Sequence, residues 1–219
     1  MDEMQLRQIA GQLRQPHGDA GIEVGQRMNV GNEIINRRAI AQLTVQPDDR
    51  VLELGPGNGY FAREIVTVHP SVRYVGCDFS NVMIEQARQL NIDLVQSGQA
   101  QFILRADATL PFADASFEKV LTINTLYFWD DPAAELAEIR RVLVPGGRIV
   151  IGIRPRRVME QMAFVQYGFT TYAPEEAADL LTKNGFKLTS LTDEPEPDQI
   201  FFGKSIAMAS VLLCGQVPG

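Results

Sequence analysis

Cysteine is scarce in this sequence: Cys77 and Cys214 are the only two among 219 residues. Two thiols cannot build a disulfide framework and are too few for a zinc cluster, so a reducing cytoplasm is expected and a metal site is not. Histidine is equally scarce, with His17 and His69 alone, which leaves few imidazoles for acid–base work. No apolar run reaches the roughly 18 residues that a bilayer span requires. The opening Met1-Asp2-Glu3-Met4-Gln5 has no basic stretch followed by an apolar one, so export is not expected. A basic excess is missing too. The net charge of −7 argues against a nucleic-acid surface, although Arg154, Arg156 and Arg157 form one candidate basic patch. Internal repeats and low-complexity tracts are absent. What remains is 45% apolar and 21% charged, the balance of a soluble chain long enough to bury one full core.

Hydrophobic periodicity divides the chain into alternating elements. Leu6, Ile9, Ala10 and Leu13 recur at helical spacing, and so do Ile35, Ala39, Ile40 and Leu43. Between them, Gln15-Pro16-His17-Gly18-Asp19-Ala20-Gly21 reads as a loop from its Pro and Gly content. Short apolar strands are expected at Val51–Leu54, Val72–Cys77, Phe102–Leu104, Lys119–Ile123 and Arg148–Ile153. Helices are expected at Phe61–Val68, Asn81–Leu90 and Ala133–Leu143. Strands separated by helices pair in parallel through right-handed crossovers. The last third differs: a helix over Pro174–Lys183 stops at Asn184-Gly185, and strands Phe186–Leu191 and Ser205–Leu213 follow, joined by a Pro-rich loop from Asp193 to Asp198. A strand reached through a loop alone implies an antiparallel pair at the edge. The fold class is therefore α/β, a mostly parallel sheet with an antiparallel C-terminal strand pair and helices on both faces.

Glycines 55, 57 and 59 directly follow the first strand and precede a helix. Such a loop lets a ligand approach bare backbone, and the helix start offers N–H groups to an anion. Asp78 ends the next strand, where a carboxylate can accept hydrogen bonds from both ribose hydroxyls; capping of the following helix is the alternative role, which Ser80 fills equally well. Loop and acid together indicate an adenosine-type ligand. The spacing is G-x-G-x-G with Tyr60 where a dinucleotide site wants a different register, which disfavours NAD without excluding it.

Val51-Leu52-Glu53-Leu54-Gly55-Pro56-Gly57-Asn58-Gly59-Tyr60-Phe61 closely resembles the first motif of class I S-adenosylmethionine-dependent methyltransferases. Further matches come in the family's order: Tyr74 to Ser80 around Asp78, Arg105-Ala106-Asp107-Ala108 with Leu110-Pro111-Phe112 and Ser116-Phe117-Glu118, and Arg141 to Arg148 around Pro145-Gly146-Gly147. The resemblance covers about residues 50 to 213 and is nearest the small-molecule and ubiquinone/menaquinone-biosynthesis-like branches. It implies a Rossmann-like seven-stranded sheet and S-adenosylmethionine as methyl donor. It also implies site roles. Gly55 and Gly57 would face the methionine moiety, Glu53 would support the loop or the ammonium end, and Asp78 would hold the ribose. Phe79 and Met83 would contact adenine, with core packing as their alternative. Asp107 would bond the adenine amino group beside Ala108, unless it is only a turn residue, and Asn124 would lie under the methionine portion near the methyl.

A methyl donor of this kind brings its own activated carbon, so the protein's work is in-line placement and exclusion of water, with a base needed only for a protonated acceptor. His17 and Tyr127 are the candidate catalytic side chains, though solvent exposure and pocket lining are the plainer roles. Tyr127, Phe128 and Trp129 follow the fourth strand, at the edge where open α/β sheets bind ligands; Tyr167, Phe169 and Tyr172 offer a second aromatic wall. Residues 1–46 are expected to form an N-terminal helical lid or substrate segment bringing Met28 and Asn29 to the transfer site, with residues 47–219 as the S-adenosylmethionine-binding domain. Met28, Asn29, Trp129 and Tyr172 are the candidate substrate contacts. The expected function is methyl transfer to a small-molecule acceptor; an NAD(P)-linked oxidoreductase and a catalytically silent cofactor-binding regulator are the alternatives.

Overall fold

The computed structural model describes all 219 residues, Met1–Gly219. Five strands, β1 (Arg50–Leu54), β2 (Arg73–Asp78), β3 (Ala100–Leu104), β4 (Phe117–Ile123) and β5 (Leu143–Ile153), pair in parallel in the order β3-β2-β1-β4-β5. The sheet continues through β9 (Ala209–Gln216), antiparallel to β5, and then β6 (Lys187–Pro195), antiparallel to β9. The result is the expected seven-stranded, mostly parallel sheet with an antiparallel C-terminal pair.

Alternation along the strands fills a core on each face. Val51, Leu121, Val150 and Leu212 point to one side, where α3 (Glu33–Leu43) contributes Ile35, Ala39 and Leu43. On this side α4 (Ala62–Val66) and α5 (Asn81–Leu90) add Ile65 and Ile84. Leu52, Val120, Ile149, Ile151 and Leu213 point to the other side, against Leu136 and Ile139 of α7 (Pro132–Val142) and Leu181 of α9 (Pro174–Lys183). Between these lie the short α6 (Ile92–Gln96), α8 (Arg156–Met159) and two 3-10 turns at Leu126–Phe128 and Ala163–Gln166. No helix is long and apolar enough to cross a membrane.

Four local expectations change. The segment read as a loop up to Gly21 is only Gln15–His17, between α1 (Glu3–Arg14) and α2 (Gly18–Gly31). Glycine lowers intrinsic helix propensity, but here it buys close packing: a Cβ on Gly21 would sit 3.0 Å from the Pro16 carbonyl carbon, and one on Gly25 3.0 Å from Met83 Cε. At the C-terminus, Ser205–Leu213 is not one strand. Phe202 and Gly203, both at positive φ, make a two-residue turn between β7 (Gln199–Phe201) and β8 (Lys204–Ile206), a separate hairpin ahead of β9. The Pro-rich loop starts later than expected, because β6 runs on to Pro195; β6 is the sheet's edge, where proline is tolerated. The helix expected over Phe61–Val68 is confined to the five residues of α4.

Candidate active site

The loop after β1 reverses on Gly55 and Gly57 at φ +73° and +56°. A Cβ on Gly55 would run into Thr125 Cγ2, so both backbone conformation and close approach demand glycine there. Asp78, at the end of β2, braces this loop: its carboxylate accepts the Gly57 N–H at 3.2 Å and the Ser80 N–H at 2.8 Å. Burial pushes its carboxyl up to about 6, against the pull of those N–H groups. Ser80 caps α5 by accepting the Met83 N–H at 3.1 Å and donates its hydroxyl proton to the Pro16 carbonyl. Gln15 donates to the Phe79 carbonyl at 2.7 Å, and Arg14 meets Asp130 at 2.9 Å. The α1–α2 turn is thus pinned over the end of β2.

Beneath that turn lies a cavity of about 590 Å³ at the carboxyl ends of β1, β2 and β4. Its walls bring together Gly55, Gly57, Asp78, Phe79, Met83, Asp107, Ala108 and Asn124. Phe79 is largely exposed to the cavity under the Arg105 guanidinium, 5.1 Å from its ring centre, whereas Met83 is buried beneath Gly25. Asp107 forms a turn, accepting the Thr109 N–H at 2.8 Å, and still faces the cavity. Glu53 is the exception. It lies behind the loop, off the wall, accepting a 2.6 Å hydrogen bond from the Tyr74 hydroxyl; burial pushes its carboxyl up to about 7, reinforced by Asp78 nearby.

A second cavity, of about 730 Å³, opens beside the first between α1, α2, the 3-10 turn at Leu126–Phe128 and the β7–β8 hairpin. The two share Leu13, Met28, Asn32, Asn124 and Phe128. Asn124, at φ +57°, is held on three sides: its N–H donates to the Gly152 carbonyl at 2.8 Å, its amide donates to Asn32 Oδ1 at 3.1 Å, and Tyr127 donates to its Oδ1 at 3.0 Å. Met28 therefore faces both spaces, Asn29 and Trp129 the first, and Tyr127 the second. His17 and Tyr172 face neither. The exposed His17 ring contacts Gln12 Nε2 at 3.3 Å and the Gln15 carbonyl at 3.1 Å, while Tyr172 packs against the core and its carbonyl accepts the Arg156 N–H.

Sequence reasoning passed over four residues of the site. Arg105 is buried, paired with Glu135 at 2.9 Å; its place beside Ala106-Asp107 in the motif was the available signal. Thr125 packs on Gly55, and Asn32 joins the cavities. Asn58, within the glycine loop, carries a buried Oδ1 with no hydrogen-bond partner on the wall of the first cavity, a polar atom awaiting a donor. The first cavity is also acidic. Asp78, Asp107, Asp130, Asp131 and Glu135 line it against only Arg14 and Arg105, and both arginines are already paired.

A methyltransferase-domain model matches residues 52–151. The chain is 31% identical over 173 residues to the O-methyltransferase rstn1 of Aspergillus nomiae, covering 76% of each chain. It is 32% identical over 149 residues to the demethylmenaquinone methyltransferase of Beutenbergia cavernae, covering 63% of this chain and 58% of that one. The matched part spans 61% to 76% of the length of the O-methyltransferases it resembles. The fold superposes with a TM-score of 0.78 on a chain of the complex between the Haloferax volcanii Trm112 methyltransferase activator and a methyltransferase, at 21% identity over 100% of this chain and 99% of that one. The glycine loop, the acidic cavity at the strand ends and these relatives agree: the chain belongs to the S-adenosylmethionine-dependent methyltransferases.

Proposed function

We propose that the protein transfers a methyl group from S-adenosylmethionine, bound in the first cavity, to a largely apolar small molecule in the second. The observation that carries this reading is the charge of the first cavity: its two guanidiniums pair with Asp130 and Glu135, which leaves Asp78, Asp107 and Asp131 as three carboxylates with no cation opposite them. Such a wall suits a donor bearing a sulfonium and an ammonium, and repels the pyrophosphate of NAD(P), which the oxidoreductase alternative would require. The unpartnered Asn58 Oδ1 fits the same ligand, because the donor's ammonium can supply the missing hydrogen bond.

Within this reading Asp78 accepts from the ribose, Phe79 and Met83 flank adenine, Asp107 and Ala108 border it, and Gly55 and Gly57 face the methionine portion. Glu53 supports the loop from behind through Tyr74. The bound donor supplies an activated methyl; the chain's task is to aim an acceptor at it and keep water out. The shared walls Leu13, Met28, Asn32, Asn124 and Phe128 mark the meeting point, and Tyr127 fixes Asn124 there. Residues 1–46 provide the cover, chiefly through α1 and α2. Both cysteines are free and buried, which supports residence in the reducing cytoplasm.

Calorimetry tests the reading. S-adenosylmethionine and S-adenosylhomocysteine should bind and NAD should not. Asp78→Asn should weaken binding by roughly 10- to 100-fold, as expected for lost charged hydrogen bonds, while its single oxygen can still accept one of the two N–H groups, of Gly57 and Ser80, that Asp78 holds. Tight NAD binding in place of S-adenosylmethionine would overturn the function, whereas unchanged affinity in the variant would remove Asp78 from the site.

A further inference from the structure

The two cavities meet at Leu13, Met28, Asn32, Asn124 and Phe128, and none of these side chains titrates. The second cavity as a whole has no carboxylate, imidazole, thiol or ammonium in its wall. Its only ionisable side chains are Tyr127, Arg27 and Arg154. Tyr127 is buried, its phenol pKa is raised by desolvation, and its hydroxyl is occupied by Asn124 and by the Arg154 main chain. Arg154 is only 3% exposed and lies 2.6 Å from Glu196, while Arg27 sits in solvent at the rim. The five carboxylates of the first cavity have other duties: Asp130 and Glu135 pair with arginines, Asp131 caps α7, Asp107 holds its own turn by accepting the Thr109 N–H, and Asp78 holds the loop. His17 lies outside, and His69 is in the turn before β2. No side chain is therefore placed to take a proton from an acceptor at the junction.

We propose that this enzyme works without a protein base and selects an apolar acceptor whose attacking oxygen ionises by itself near neutral pH, an acidic phenol or enol bound as its anion. The proposal rests on the methyl-transfer reading above. An ordinary phenol with a pKa of about 10 is anionic in roughly one molecule per thousand at pH 7, and an aliphatic alcohol far less, so without a base the phenol would turn over appreciably only at high pH and the alcohol not at all. An amine would arrive protonated and be blocked in the same way. A delocalised oxyanion suits these walls, because aromatic and methionine side chains accept its ring, and the Asn32 Nδ2 group makes no hydrogen bond of its own at the junction. The largely apolar lining strengthens its attraction to the donor's positive charge. The balance then closes without acid or base: the acceptor oxygen forms a bond to the methyl carbon, the carbon–sulfur bond breaks with its electron pair going to sulfur, and the two opposite charges cancel.

The test uses 4-nitrophenol, whose anion absorbs visible light and whose neutral form does not. With the protein saturated by sinefungin, which carries an ammonium where the donor has its sulfonium, bound 4-nitrophenol should titrate at least one pH unit lower than when free, a tenfold or greater preference for the anion. With S-adenosylhomocysteine, whose sulfur is neutral, the shift should be smaller. In turnover with S-adenosylmethionine, the pH midpoint for 4-nitrophenol, 4-cyanophenol and phenol should follow each acceptor's own pKa, and cyclohexanol should not react. A midpoint common to all acceptors, turnover of cyclohexanol, 4-nitrophenol bound as the neutral form, or failure of every phenol to bind beside a bound S-adenosylhomocysteine would overturn the proposal. Failure of S-adenosylhomocysteine itself to bind would instead overturn the donor reading, so the two are separable.

Discussion

At the scale of single residues, the site stores electrostatic cost in Glu53. This side chain is 4% exposed, and its one hydrogen-bond partner is the Tyr74 hydroxyl. Its carboxyl is pushed from the ordinary 4.5 to about 7, chiefly by burial. The folded state therefore binds more protons than the unfolded state between those values. Stability is fully present below pH 4.5, falls as pH rises through about 7, and stays at the lower level above it. The size is about 3 kcal/mol. Glu53→Gln keeps an acceptor for Tyr74 without the charge. In urea unfolding without added ligand, the variant should match the wild type near pH 4.5 and exceed it by up to about 3 kcal/mol at pH 8. Equal shifts at both pH values would mean that burial of this charge is not what costs stability. The acid two before the first glycine was readable in the sequence. Its position behind the loop was not, because that depends on Tyr74 from the neighbouring strand.

At the scale of elements, the sheet was legible, whereas α2 and the β7–β8 hairpin were not, for one physical reason. Buried strands announce themselves by unbroken apolar runs such as Ile149-Val150-Ile151, and the helices between them imply parallel pairing through right-handed crossovers. Helix α2 has no such signature: its glycines depress intrinsic propensity, and its stability comes from what it packs against, namely Pro16 within the cover and Met83 on α5. The β7–β8 hairpin was hidden likewise, since its turn is built on Phe202-Gly203, and phenylalanine at positive φ is no turn signal. The packing account of α2 can be tested by two glycine substitutions. Gly25→Leu must displace Met83 and crowd Asn58, so it should lift α2 and weaken S-adenosylhomocysteine binding roughly tenfold, about 1.4 kcal/mol, with the sheet intact. Gly11→Ala, in the middle of α1 with nothing within 4 Å of the added methyl, should stabilise the protein by about 0.5–1 kcal/mol. Calorimetry and thermal unfolding measure both, and equal binding by the two variants would show that close packing of α2 is immaterial.

At the scale of the whole molecule, one buried ion pair connects parts that are far apart in sequence. Arg154, just past β5, donates to the Gly31 carbonyl at the end of α2 and to the Ala209 carbonyl at the start of β9, both at 3.1 Å. Glu196, just past β6, stands 2.6 Å away as its counter-ion, although the pair is not aligned as a hydrogen bond. Gln199, from the hairpin, donates to the same Gly31 carbonyl at 2.8 Å. The cover, the sheet centre and the C-terminal hairpin thus converge on two side chains that the sequence marked only as a surface basic patch and a Pro-rich loop. A buried pair need not add net stability, because desolvation offsets much of its attraction, but stranding one charge is costly. Glu196→Ala should therefore destabilise the protein by about 3–5 kcal/mol and speed amide exchange at both Gly31 and Ala209. Arg154→Met combined with Glu196→Leu removes both charges and keeps the volume, so in urea unfolding it should recover most of that loss. If the double variant is as unstable as Glu196→Ala, losing the carbonyl contacts to Gly31 and Ala209 costs as much as leaving the charge unpaired, and Arg154 serves as a hydrogen-bonding clamp on the cover.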